Sequence, residues 1–154
     1  MKLEDIKINL FEKANLSNIR RAVESGDSWA MLTSWRGDQD VNKNKSDFRE
    51  LRTILRASDL GFIPLEGVGQ EIDSEGNVVE AVEPSLFIPK ITLDFAQKLM
   101  RKYRQDAIVY SGPETGEKPK LVWANGNMES IGEFRPGQIS QFYSRIRGKP
   151  FTFG

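Results

Sequence analysis

Residues 83 to 112, EPSLFIPKITLDFAQKLMRKYRQDAIVYSG, decide the fold of this chain. The apolar run 86 to 88, closed by a proline, predicts a strand that is buried on both faces. Thr92 can cap a helix over 93 to 103, because apolar residues recur there at 3.6-residue spacing. Residues 107 to 110 predict a second buried strand, which a Ser-Gly-Pro turn ends. This stretch predicts half of an α+β sandwich.

The segments on either side add further helices and strands. Periodicity and turn signals predict a helix over 15 to 25, a strand over 28 to 35, a helix from Ser46 to about Ser58, a strand over 61 to 70, a turn over 73 to 77, a hairpin around Asn125 and Gly126, and a last helix over 138 to 147. Residues 1 to 14 show no clear period, and we interpret them as an arm or a short helix on the body.

The order strand, helix, strand, strand, helix, strand predicts the α+β class and, within it, a ferredoxin-like split βαβ sandwich (βαββαβ). We assign residues 1–27 to an N-terminal arm and helix, 28–112 to the ferredoxin-like core, and 113–154 to a C-terminal hairpin and helix of the same domain. Right-handed crossovers place the first and third strands in the centre and the second and fourth at the edges. Pro64 fits a predicted edge strand.

Composition excludes several kinds of chemistry. The 154 residues contain 22 basic and 22 acidic side chains, so no overall charge draws the chain to nucleic acid or to an anionic membrane. Cysteine and histidine are both absent, which removes thiol nucleophiles, disulfides and the commonest general base and metal ligand. Chemistry would have to use carboxylates, hydroxyls, lysine or arginine. No apolar stretch approaches the roughly 20 residues that cross a bilayer.

The predicted topology brings distant polar residues to one rim of the sheet, where the end of strand one meets the beginnings of strands three and four. The residues expected there are Ser34, Trp35, Arg36, Glu83, Ser85, Gln105 and Asp106, with Glu66 as a further candidate. In a functional interpretation, Arg36 binds a phosphate or carboxylate while Glu83 or Asp106 acts as a base or holds a divalent cation. In a structural interpretation, these groups satisfy the strand ends and one another.

Two other surfaces are candidates for nucleic acid. Arg49, Arg52 and Arg56 fall together on the outer face of one helix and, with the cations of the later helix, predict a patch for phosphates. The alternative is a solvated face that Glu50 and Asp94 neutralise. The sheet could also offer the aromatic rings Trp29, Trp35 and Phe87 as a base-stacking platform. The RNP1 pattern is absent, however, and core packing is the preferred interpretation of these rings.

Two short motifs carry a resemblance. Glu83 to Leu86 form an E-P-S-L strand, and Gln105, Asp106 and Ala107 form a Q-D-A strand start. Together with the T-S end of strand one and the N/S-rich loop after it, these motifs resemble a small family of uncharacterised bacterial and bacteriophage proteins over roughly residues 28 to 125. The resemblance implies a phage or mobile-element origin and supplies no activity.

We therefore expect a non-enzymatic, bacteriophage-type protein that acts by binding, as a virion component or a host-interaction factor. The expected partner is a viral or host protein, with nucleic acid as a further candidate and no membrane, in the host cytoplasm or the virion. One alternative is a metal-dependent nuclease or transferase that uses Arg36, Glu83 and Asp106, and only this alternative implies a cofactor, Mg²⁺. The other is a nucleic-acid-binding module that uses the arginine-rich helix face.

Overall fold

The computed structural model describes residues 16–138, 142–146 and 149–154. The predicted arm over residues 1 to 14 lies outside the described residues. Within the described part there are three α-helices, α1 (Leu16–Glu24), α2 (Val41–Ala57) and α3 (Leu93–Lys102), and a short 3₁₀ helix, Pro113–Thr115. The strands are β1 (Trp29–Leu32), β2 (Ile63–Ile72), β3 (Val78–Pro89), β4 (Ala107–Ser111), β5 (Lys120–Trp123), β6 (Met128–Ser130), β7 (Phe134–Pro136), β8 (Phe142–Ile146) and β9 (Lys149–Phe153).

All nine strands belong to one antiparallel sheet, in the order β6-β5-β4-β1-β3-β2-β8-β9-β7. β1 pairs with β3 and with β4, and its Ala30 lies opposite Ile88 on one side and Tyr110 on the other. β2 and β3 form a long hairpin that pairs without interruption from Ile63 opposite Phe87 to Ile72 opposite Val78. The protein is therefore α+β, with most of its regular structure in strands.

The predicted ferredoxin-like sandwich is wrong. Strands β4, β1, β3 and β2 are neighbours in that order, but β2 also pairs with β8 and β4 also pairs with β5, so neither is an edge strand. The sheet continues on both sides and curls into a half-barrel with three helices around it. The sheet is larger than predicted because the C-terminal segments add the strands β5 to β9. A four-stranded sandwich would have ended at β4.

The predicted last helix over 138 to 147 is also wrong where the structure describes it, because residues 142–146 form β8. Ser144 and Ile146 are buried and Arg145 between them is partly exposed, so the segment follows a period of two. Phe, Tyr and Ile are favourable strand residues, and pairing with β2 decides between the two periods. Residue 138 is not helical, and residues 139–141 and 147 of that prediction lie outside the described residues.

Helix α2 begins earlier than its predicted cap at Ser46. Asp40 is the N-cap, and its carboxylate accepts hydrogen bonds from the backbone amides of Asn42 at 3.0 Å and Lys43 at 3.3 Å. An aspartate in this position satisfies amides that the helix itself leaves unpaired. The polar run before Ser46 is therefore the first turn of the helix and not a loop.

Helices α2 and α3 cover one face of the sheet. Their apolar stripes meet the inward-facing residues of β1, β3 and β4 in one core, which contains Leu51, Leu55, Ala96, Leu99, Met100, Ala30, Leu86, Ile88 and Ile108. Thr92 caps α3, accepting a hydrogen bond from the Phe95 amide at 3.2 Å, as the sequence predicted. We call this the helix side of the sheet.

Aromatic rings fill the opposite face. The Trp29 ring stacks between Phe87 at 5.0 Å and Phe153 at 5.7 Å. Phe153 belongs to β9, four strand spacings from β1, which would separate the two by about 19 Å in a flat sheet. The sheet must therefore curl to bring these rings into contact, and Ile19 of α1 is buried in the same cluster. Trp29 and Phe87 are core residues, which confirms the core-packing interpretation of these two rings.

We expect Phe151→Ala to lower the free energy of unfolding by about 3 to 5 kcal/mol, because this fully buried ring of β9 belongs to the aromatic cluster that also contains Trp29 and Phe87. Val41→Ala, which removes an exposed side chain, should change it by no more than about 0.5 kcal/mol. Urea denaturation followed by tryptophan fluorescence measures both. Equal stability of the two variants would contradict the closing role of the aromatic cluster.

Candidate functional site: a polar pocket at the rim of the sheet

The structure brings most of the predicted rim residues together. A pocket of about 370 Å³ is lined by Trp35, Arg36, Gly37, Asp38, Glu83, Arg104, Gln105 and Asp106. The side-chain amide of Gln105 donates to the Trp35 carbonyl at 3.0 Å, across 70 residues of sequence. The segments after β1, within β3 and before β4 therefore meet at one place.

Arg36 is the centre of the pocket and is already engaged. Its Nε donates to Oδ1 of Asp38 and its Nη2 to Oδ2, both at 2.9 Å, and its Nη1 donates to the Arg104 carbonyl. The hydrogen bond from Arg36 lowers the pKa of Asp38 below its ordinary value, and the same contact raises the pKa of Arg36. An anion that entered this pocket would have to compete with the Asp38 carboxylate.

A buried asparagine that the sequence analysis missed fixes the loop that carries Arg36. Asn44, which is 2% exposed, accepts from the Arg36 amide at 3.0 Å and donates to the Arg36 carbonyl at 2.8 Å. Gln39 donates to the same Asn44 oxygen at 2.8 Å and to Asp47 at 3.0 Å. Asn44 lies in the first turn of α2, a segment whose polar composition predicts a loop. Nothing in the sequence therefore predicts that the Asn44 side chain is buried.

Two hydroxyl side chains of the rim, those of Thr33 and Ser85, donate hydrogen bonds to backbone carbonyls at the strand ends. Thr33 donates to the Pro84 carbonyl at 2.6 Å, and Ser85 donates to the Leu32 carbonyl at 3.1 Å. Ser34 is fully buried, and its hydroxyl has no hydrogen-bond partner within the described part of the chain. Neither Ser34 nor Ser85 lines the pocket. These contacts agree with a structural role for the part of the rim that Ser85 and Thr33 form.

The further candidate Glu66 belongs to a different cluster. Arg145 of β8 donates from Nε to Glu66 at 3.0 Å and from Nη1 to Glu80 at 3.2 Å. These three residues tie β8 to the β2–β3 hairpin. Glu66 therefore stabilises a strand junction and is absent from the residues that line the rim pocket.

The chemistry that the pocket can support is limited. Its carboxylates are those of Asp38, Glu83 and Asp106, yet among residues 16–138, 142–146 and 149–154 no group of three or more Asp or Glu side chains is arranged to hold a metal ion. The nuclease or transferase alternative, with its Mg²⁺, stays a prediction. What the geometry offers is a polar recess with mixed charge.

The predicted arginines lie on one flank of α2. With Lys45 they occupy positions i, i+4, i+7 and i+11, and we call Lys45, Arg49, Arg52 and Arg56 the basic stripe. Arg52 lies over the Phe48 ring at 5.1 Å and Arg56 over the Phe62 ring at 5.2 Å. These rings hold the guanidinium groups in fixed positions along the helix.

The acidic residues expected to neutralise the predicted patch pair with its cations on α3 and not with its arginines on α2. Glu50 contacts Lys102 at 3.3 Å and accepts a hydrogen bond from the Tyr103 hydroxyl at 2.9 Å. Its side chain therefore lies at the seam between α2 and α3, where the two helices face each other. Asp94 pairs with Lys98 at 3.1 Å. Within the described part of the chain, the basic stripe has no carboxylate within ion-pair distance.

Comparison with known proteins adds no family. No protein-family model matches the chain, and no curated protein matches it. The resemblance drawn from the E-P-S-L and Q-D-A motifs therefore stays a resemblance.

We expect Asn44→Ala to lower the free energy of unfolding by about 2 kcal/mol, because it leaves the Arg36 amide and carbonyl without their partners. Asn42→Ala, an exposed asparagine in the same helical turn, is the matched control and should cost no more than about 0.5 kcal/mol. Urea denaturation compares them, and equal costs would show that Asn44 does not fix the loop.

The ion pair beneath this loop should appear as a pH dependence of stability. Lys43 donates to Asp47 at 2.8 Å and lowers the pKa of Asp47 below its ordinary 3.8. Because the folded pKa is depressed, this stabilisation is present above 3.8 and is lost as the pH falls through the lower folded value. Asp47→Asn should therefore cost up to about 1 kcal/mol at neutral pH and progressively less as the pH falls below 3.8. A cost that stays the same across this range in urea titrations would contradict the assignment.

Proposed function

We propose that this protein acts by binding a viral or host protein, as a virion component or a host-interaction factor, and that the end of the β2–β3 hairpin is the binding element. It would work in the host cytoplasm or the virion. In the described part of the chain, no helix is long and apolar enough to cross a membrane.

The end of this hairpin projects beyond the sheet. Within the described residues, β8 pairs with β2 from Glu66 to Gly69, and β1 pairs with β3 from Leu86 to Pro89. Residues 70 to 82, which we call the ribbon, thus form a two-stranded extension. Asp73 closes its turn by accepting from the amides of Glu75 and Asn77, both at 2.9 Å.

The observation that carries the proposal is the apolar surface of the ribbon. Ile72 is 75% exposed and Val78 is 69% exposed, and the two are cross-strand partners, so they form one contiguous strip. Val79 and Val82 are also exposed. Of the seven exposed large apolar side chains in the described part of the chain, these are four. Exposed aliphatic residues concentrated on one projection are typical of a surface that a partner covers.

Charge defines the kind of partner. Residues 63 to 89 contain six acidic residues and no lysine or arginine, so all 22 basic residues of the chain lie elsewhere. The ribbon therefore presents aliphatic side chains within an acidic surround. A complementary protein surface has lysine or arginine beside exposed apolar residues.

The test compares three immobilised proteins in a lysate of phage-infected bacteria. Wild type and the control Met128→Thr, an exposed residue of β6 outside the ribbon, should retain the same partner. The double variant Ile72→Thr/Val78→Thr, which keeps β-branched residues in the strands, should lose it by about tenfold or more. Retention of identical proteins by all three, or of none by wild type, would refute the proposal.

A further inference from the structure

We infer that the ribbon binds the basic stripe of a second copy of this chain, so that two copies form a two-fold dimer with two reciprocal contacts. This inference rests on the proposed function of the ribbon and names its partner.

Both surfaces lie on the helix side of the sheet. Side chains alternate along β3, so Val78, Glu80 and Val82 share the face of Leu86 and Ile88, which are buried in the core beneath α2 and α3. The exposed apolar strip of the ribbon therefore continues the face that the helices cover.

The basic stripe is accessible on the same side. Glu50 faces α3 across the seam, whereas Arg56 lies over Phe62, which directly precedes β2. Helical spacing therefore places the stripe on the flank of α2 that is turned away from α3 and toward β2. Because one molecule carries both surfaces on one side, a two-fold axis lets each ribbon meet the stripe of the other copy.

The two surfaces complement each other in charge and in apolar character. The ribbon carries Asp73 and Glu75 near its turn, and Glu80, which also pairs with Arg145. The stripe carries four cations without an ion-pair partner in the described part of the chain. Exposed Val41 and the half-buried Phe48 adjoin the stripe and offer apolar contacts to the aliphatic strip. The two oppositely charged surfaces would neutralise each other in the dimer.

The dimensions also agree. From Val78 to Val82 the ribbon spans about 14 Å of strand, at roughly 3.4 Å per residue. From Lys45 to Arg56 the stripe spans about 16 Å of helix, at roughly 1.5 Å per residue. One strand of the ribbon can therefore lie along the length of the stripe.

A charge-exchange experiment tests this contact by sedimentation equilibrium. Wild type should be a dimer whose dissociation constant rises at least about tenfold from about 0.1 M to about 1 M salt, as the Debye length falls from about 10 Å to about 3 Å. Gln70→Lys/Glu71→Lys/Glu75→Lys gives the ribbon three cations against the two carboxylates Asp73 and Glu80, and Lys45→Glu/Arg49→Glu/Arg56→Glu gives the stripe three carboxylates against the one cation Arg52. Each variant alone should be a monomer, because both of its reciprocal contacts place like charges together.

An equimolar mixture of the two variants should recover the dimer. In the mixed dimer, the unchanged ribbon of one variant meets the unchanged stripe of the other. The altered ribbon meets the altered stripe, and because both have reversed charge, this contact is attractive as well. Recovery also shows that both variants are folded. Met128→Thr should dimerise as wild type does, and Ile72→Thr/Val78→Thr should be monomeric.

Three results would overturn the inference. In the first, wild type is monomeric at every concentration and salt. In the second, wild type dimerises but the mixture of the two charge variants stays monomeric. In the third, wild type is a monomer whose basic stripe binds an oligonucleotide in a salt-dependent manner. If wild type is monomeric yet loses a lysate partner on Ile72→Thr/Val78→Thr, self-association fails and the proposed function stands. If that variant also keeps every lysate partner, the proposed function fails as well.

Discussion

The stack of Trp29 between Phe87 and Phe153 is the contact on which the rest of the structure depends. It joins the centre of the sheet to its C-terminal end and can form only if the sheet curls. Once curled, the sheet fills its concave side with its own aromatic rings while α2 and α3 cover the other side. Both faces near β1 are then core, and binding has to use the rim, the helix surfaces or the projecting hairpin.

The remaining surface features of the molecule fall into three groups, which are the rim of the sheet, the β2–β3 hairpin and the outer face of α2. At the rim, Arg36 is held by Asp38 and the Arg104 carbonyl, and its loop is held by Asn44. Those groups mainly satisfy one another, which favours a structural role. The hairpin and α2 differ, because Ile72 and Val78 are largely exposed and the basic stripe has no carboxylate within ion-pair distance in the described part of the chain. A surface that the fold does not need is the better candidate for recognition.

Local signals predicted local structure well. Thr92 caps α3, the turn at 73 to 77 closes the β2–β3 hairpin, and Asn125 and Gly126 separate β5 from β6. The long-range features were not visible in this way. Residues 142–146, FYSRI, are compatible with a strand as well as with a helix. Only the pairing of this segment with β2 decides that it is a strand. Asn44 looked like a loop residue because the cap at Asp40 was not recognised. Asp38 lies in the turn before α2, and no spacing rule indicated that either residue contacts Arg36.

The central claim is that the ribbon and the basic stripe are the two halves of one contact. An NMR dilution series of the uniformly ¹⁵N-labelled protein tests it most directly. The account predicts that amide signals of residues 70 to 82 and of α2 move together as the concentration rises, with one dissociation constant, while those of the rim pocket stay fixed. Amide signals that do not move in either segment, or that move only at the rim pocket, would contradict it.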